Sequence, residues 1–162
     1  MEVIPDLARL SAPKLEDFLL RQMQIGRTLR LAEGAAGCLR ELHDRGILLG
    51  IVSNSQAYTL HELSSALQSV GFNLSSFDRD VCFWSFENGF SKPDPHVFRI
   101  LTARLEARGI SPAETLMVGD RLDNDIKPAR AHGWQTWHLT SREQTEQSGN
   151  WRELLAWLAQ SG

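Results

Sequence analysis

Three carboxylates fall within six residues of the stretch Gly119-Asp120-Arg121-Leu122-Asp123-Asn124-Asp125, directly after the apolar run Thr115-Leu116-Met117-Val118. Like charges so close together are costly unless something positive lies among them. A hard divalent cation such as Mg²⁺ meets that need, because it takes carboxylate oxygens. Gly119 lets the chain turn out of the run, Asp120 follows at once, and Asp125 lies where a helical pattern over 123–132 begins. Asp123 is the candidate N-cap of that helix, which leaves Asp120 and Asp125 as the metal pair. The bland alternative is an acidic helix start, favoured by the helix dipole alone.

Two further sets of residues carry chemistry. Ser53-Asn54-Ser55 ends the apolar run 47–52, and in open α/β sheets ligands bind outside the carboxyl ends of the strands. A hydroxyl, an amide and the backbone N–H groups of a helix starting near Gln56 suit an anion such as phosphate, with Ser53 and Asn54 as its ligands. Taken alone, the same two residues are more simply read as ordinary helix caps. Ser91-Lys92-Pro93-Asp94-Pro95 places one lysine between residues of fixed backbone. An ammonium presented this way can neutralise a phosphate or a developing negative charge. Read blandly, Lys92 is one more exposed lysine.

The elements that must position these residues alternate between strand and helix, as in a parallel α/β sheet. Pro13 opens a helical stretch over 14–23. A helix over 34–45 carries Leu39 and Leu42 on one face, with Gly46 just past its end. The run 47–52, with Gly50 inside it, reads as a strand covered on both faces. A helix over 56–70 has Leu60, Leu63 and Leu67 at helical spacing. Residues 81–84 form a short strand. Asp94 as N-cap and Pro95 at the first helical position start a helix running to about residue 108. Strands follow over 115–118 and 136–139, a polar surface loop over 144–150, and an amphipathic closing helix over 151–158. Trp134, Trp137, Trp151 and Trp157 are expected to pack the last strand against that helix.

Strand–Ser–Asn, then Lys-Pro-Asp-Pro, then Gly-Asp with Asn-Asp, in this order and spacing, resemble the haloacid dehalogenase (HAD) superfamily over about residues 34–140. The resemblance implies a three-layer, Rossmann-like α/β core with a mostly parallel sheet. It also implies roles: Ser53, with Asn54 beside it, holds the transferring phosphate; Lys92 is the catalytic lysine that steadies nucleophile and phosphate; Asp120 and Asp125 bind Mg²⁺. Dehalogenases proper have Ser-rich sequence in place of this Gly-Asp, so the acidic version resembles the phosphatase branch, acting on a small phosphorylated metabolite. The superfamily's nucleophile lies in a strand ending Asp-x-Asp, upstream of the Ser53 position. Only Asp6, Asp17 and Asp44 lie upstream here, and none fits. Asp78-Arg79-Asp80 has the spacing but precedes a strand instead of ending one.

The chain is therefore expected to lack the first, central strand. Residues 1–33 are then the helical tail of a cap segment and 34–162 a core incomplete at its N-terminal strand. Three repairs are open: the flanking strands pair directly, residues 2–10 fill the gap, or a second chain supplies a strand and makes a homo-oligomer. Covalent catalysis has no evident substitute nucleophile, so weak or absent turnover is expected. The competing function is a non-catalytic HAD-like binding or regulatory protein.

Composition narrows the partners. A net charge of −3 gives no basic face for nucleic acid. Cys38 and Cys82 match no metal spacing and fit a reducing compartment. Met1-Glu2-Val3-Ile4-Pro5-Asp6 carries neither a basic region nor a long apolar one, so no membrane span and a cytoplasmic location are expected. His43, His61, His96, His132 and His138 are scattered, without metal-ligand spacing, and read as surface or packing residues.

Overall fold

The computed structural model describes residues 11–25, 29–141 and 147–160. Contacts divide the chain at Arg30 into two units. The first contains helix α1 (Ala12–Ile25), longer at both ends than the 14–23 read from sequence. Residues 2–10, one of the expected fillers of the central strand, lie outside the described residues.

The second unit carries the α/β alternation. Its elements are α2 (Ala35–Asp44), β1 (Val52–Ser53), α3 (Ala57–Gln68), β2 (Phe83–Trp84), α4 (Ser85–Asn88), α5 (Pro95–Glu106), β3 (Leu116–Gly119), α6 (Lys127–Ala131), β4 (Gln135–Leu139), β5 (Ser148–Gly149) and α7 (Trp151–Gln160). Every ladder is parallel, and the strands form two sheets, β1-β2 and β3-β4-β5. Among the described residues β1 and β3 share no ladder, so the direct pairing that could close a missing central position does not occur. Each keeps one strand edge without a ladder partner in the described chain.

Alternation along the strands builds three layers. Leu116 and Val118 of β3 face the cluster of Cys38 from α2 and Leu154 from α7. Met117 between them faces Phe98 and Leu101 of α5 and Ala129 of α6. The chain before β1 divides the same way, with Leu49 and Ile51 toward the α2–α3 side and Val52 toward α5. Helices thus cover both faces of the parallel strands, the architecture expected of apolar strand runs.

The expected strand over 47–52 is only partly one. Asp78 N–H donates to the Leu49 carbonyl at 2.8 Å and Phe83 N–H to that of Ile51 at 2.7 Å. Between these bonds, however, the partner chain is wound into a 3₁₀ turn, Arg79–Val81. A Cβ on Gly50 would collide with the Val81 carbonyl oxygen, so this close crossing needs glycine. Of the expected loop over 144–150, residues 144–146 lie outside the described residues, and Ser148–Gly149 corrects the rest by pairing with β4 as β5.

Trp137 and Trp157 do pack strand against closing helix, with ring centroids 5.5 Å apart, and Trp151 joins them. Trp134 does not: it lies on the opposite face, edge-on to Phe98, with Nε1–H donating to Thr102 Oγ1 of α5 at 2.9 Å. No helix among the described residues is long and apolar enough to cross a membrane.

Candidate functional site

The site assembles where β1 and β3 end. The N-cap of α3 is Gln56, whose N–H donates to Thr59 Oγ1 at 3.3 Å. Ser53 and Asn54 are therefore free of the capping role that was the bland alternative for them. Asn54 uses its amide elsewhere, on the backbone of a residue 38 positions on: Nδ2–H donates to the Lys92 carbonyl at 2.7 Å, and Lys92 N–H donates to Oδ1 at 2.8 Å. This two-way bond fixes the Lys92 peptide against the end of β1. A second reciprocal pair holds the next residue, with Ser55 N–H donating to Ser85 Oγ at 2.9 Å and Ser85 Oγ–H to the Ser55 carbonyl at 3.0 Å. Ser55 Oγ itself is buried and has no hydrogen-bond partner among the described residues.

From this mount the Lys92 side chain runs inward, and its Nζ lies 2.6 Å from Asp125 Oδ1. The side chains are 10% and 6% exposed, so this is a buried ion pair and not the solvated lysine of the bland reading. Downstream, Asp94 caps α5 with Pro95 in its first turn, as the sequence predicts. The His96 N–H and ring on Asp94 hold its carboxyl below the usual range.

The acidic stretch folds differently from expectation. Instead of one helix over 123–132, residues Leu122–Ile126 make a π-helical turn and α6 follows, with Pro128 in its first turn. Asp123 is not an N-cap. Its carboxylate grips the Arg121 guanidinium, with Nε–H donating to Oδ1 at 3.2 Å and Nη2–H to Oδ2 at 2.9 Å, and this cation lowers its pKa. The backbone N–H groups of Asp123 and Asn124 lower it further. Asp125 is buried, and its second oxygen accepts Arg121 N–H at 3.1 Å. Gly119 makes this possible, because any Cβ there would overlap the Asp125 carboxylate. Asp120 directs an exposed carboxylate from the end of β3.

The structure thus joins Asn54, Lys92 and Asp125 in one hydrogen-bonded chain, with Asp120 on the same loop as Asp125 and Ser53 beside Asn54. Two carboxylates are a suitable donor set for Mg²⁺, which commonly takes one or two of them and completes its shell with waters and substrate phosphate. No group of three or more His, Cys, Asp and Glu side chains with metal-site geometry exists among the described residues. Asp120 and Asp125 would therefore hold the ion as an incomplete protein set. A cavity of about 560 Å³ lies elsewhere, between α5 and the Arg79–Asn88 segment, and shares no residue with this site. Asp80 lines it and Asp78 flanks it; this Asp-x-Asp, which precedes a strand, has both carboxylates on Arg108.

Comparison with known proteins places these features in context. The family model for haloacid dehalogenase-like hydrolases matches residues 4–133. The bovine haloacid dehalogenase-like hydrolase domain-containing protein 3 is 31% identical over 136 residues, covering 84% of this chain and 50% of that protein. A glyceraldehyde 3-phosphate phosphatase of Pyrococcus furiosus is 33% identical over 108 residues, 67% of this chain and 41% of its own. Among solved structures, the magnesium-bound HAD hydrolase YfnB of Bacillus subtilis superposes with a TM-score of 0.63 at 26% identity, over 79% of this chain and 56% of that one. The chain spans half or less of the length of these curated relatives.

Proposed function

The chain belongs to the haloacid dehalogenase-like hydrolases, and from that premise we propose that its site binds the phosphoryl group of a small phosphorylated metabolite together with Mg²⁺, as the half-site of a phosphatase. Ser53 and the backbone at the end of β1 receive the phosphoryl oxygens. Lys92 balances their charge from its clamped position. Asp120 and Asp125 hold the metal, which when bound withdraws charge from the phosphoryl group. The observation that carries this reading is the Lys92 Nζ–Asp125 Oδ1 contact of 2.6 Å, which brings the cationic and acidic motifs into one site at the carboxyl ends of parallel strands. The relative named for glyceraldehyde 3-phosphate and the magnesium-bound YfnB support the substrate class and the metal.

Turnover by residues 1–162 alone is small or nil in this reading. The superfamily's chemistry needs a carboxylate nucleophile at a strand end, and the Asp-x-Asp of this chain is committed to Arg108. Calorimetric titration of the purified chain with Mg²⁺, with and without inorganic phosphate, tests the binding. Phosphate should tighten Mg²⁺ binding, and Asp120→Asn should abolish the effect. Failure of both ligands to bind would overturn the proposal. Rapid hydrolysis of an aryl phosphate that is lost in Asp120→Asn would overturn the claim of little turnover.

A further inference from the structure

His138 stands near the end of β4, paired in register with Gly119 of β3. It is buried, and its backbone N–H is held by the Gln147 carbonyl at 3.0 Å. Its ring Nε2 lies 3.1 Å from the carbonyl oxygen of Asp120. A carbonyl only accepts, so the ring carries its proton on Nε2 and donates it. The same peptide unit has a second partner. Its N–H, that of Arg121, donates to Asp125 Oδ2 at 3.1 Å. One peptide plane, Asp120–Arg121, is thereby gripped at its carbonyl by β4 and at its amide by Asp125.

From this geometry we infer that His138 is a positioning residue for the acidic pair, a role that rests on the metal-binding reading above. The Asp120–Arg121 plane sets the rotation about the Asp120 Cα–C bond, and hence where the Asp120 carboxylate points relative to that of Asp125. Donation to the carbonyl also polarises the amide and strengthens its bond to Asp125. Without the imidazole, the plane can rotate, Asp125 loses one of its two partners, and the two carboxylates no longer share a fixed spacing. Groups that orient metal ligands in this way are commonly worth about 10–100-fold in metal affinity.

The test compares His138→Gln, which retains an N–H donor, with His138→Phe, which retains a ring and removes the donor. In metal-free protein, amide hydrogen exchange at Arg121 should accelerate in His138→Phe at least about tenfold and change little in His138→Gln. Under calorimetry with Mg²⁺, at a temperature where all variants are folded, His138→Phe should lose about tenfold or more in affinity, and His138→Gln should recover most of it. Unchanged Arg121 exchange in a folded His138→Phe variant would overturn the inference. So would Mg²⁺ affinity equal to that of the parent. Should the parent chain bind no Mg²⁺, the metal reading fails by itself, and the exchange measurement still decides whether the clamp exists. If His138→Phe fails to fold, His138→Ala takes its place, with the same exchange at Arg121 and the same Mg²⁺ titration deciding the outcome.

Discussion

Lys92→Met separates the energetics of the site from its chemistry. Methionine keeps a buried apolar stem and removes the ammonium. Asp125, 6% exposed at its side chain, then retains a single donor, Arg121 N–H. Removing one member of a buried pair leaves an uncompensated charge and costs about 3–5 kcal/mol. Because Arg121 N–H remains, the lower end of that range, about 3 kcal/mol, is expected. Asp125→Asn should cost less, about 1–2 kcal/mol, since the amide preserves one acceptor and the lysine head can shift toward water. The double variant should lose less than the two singles combined, with a coupling of about 1–2 kcal/mol. Urea unfolding at neutral pH reads all three, provided the m-values agree with the parent's. A Lys92→Met cost below about 1 kcal/mol, the range of an exposed pair, would refute the reasoning, as would zero coupling in the cycle.

Gly119→Ala should destabilise by about 1–3 kcal/mol and weaken Mg²⁺ binding, because the new methyl overlaps the Asp125 carboxylate. Gly37→Ala is its control: nothing lies within 4 Å of its Cβ position inside α2, so stability should rise by about 0.5–1 kcal/mol in the same urea experiment. Acid sensitivity should follow Asp78, whose carboxyl the Arg108 guanidinium holds below its ordinary value of 3.8. A lowered carboxyl stabilises the fold at pH above that ordinary value and loses the contribution as pH falls through its lower folded value. Arg108→Gln should therefore flatten the decline of the urea midpoint as pH falls below the ordinary value of Asp78 while changing the slope near neutrality little.

What could be read from residues alone divides along a physical line. Elements specified by local terms were legible. Asp94 and Pro95 start α5 where their capping and φ preferences place them, and the apolar runs of β3 and β4 became parallel strands. The misreadings arose where a distant or less regular partner won. Asp123 has the composition of a cap, yet the π turn brings Arg121 within reach of it. The run over 47–52 has a strand's composition, but only Val52–Ser53 forms a ladder, because the segment it meets is wound into a 3₁₀ turn. Residue types drew attention to Ser53, Asn54, Lys92, Asp120 and Asp125. Their types did not reveal that the Asn54 amide goes to the Lys92 backbone, or that His138 reaches the Asp120 carbonyl. The first joins the end of β1 to the turn before α5, the second joins β4 to the residue that follows β3, and the tertiary placement of those segments decides both.

β1 and β3 have no ladder between them, so the usual means of fixing two strand ends relative to each other is absent in the described chain. The connection runs through side chains instead: Asn54 ties the end of β1 to the Lys92 backbone, Lys92 reaches across to Asp125, and Asp125 holds the amide that follows β3. Each backbone-directed link is a modest hydrogen bond, worth about 0.5–1.5 kcal/mol net, and the ion pair is sensitive to loss of either partner. Apolar packing of Val52 and Met117 in one core cluster also joins the two strands, but at their ends the polar links run through these residues. Cutting these links at Lys92 should loosen the β1 end and the acidic loop from each other while leaving the β3-β4-β5 ladders intact. Hydrogen exchange in Lys92→Met should accordingly rise at residues 53–55 and 120–125 and stay unchanged along β4, whereas uniform acceleration would show that the site has no separate linkage of its own.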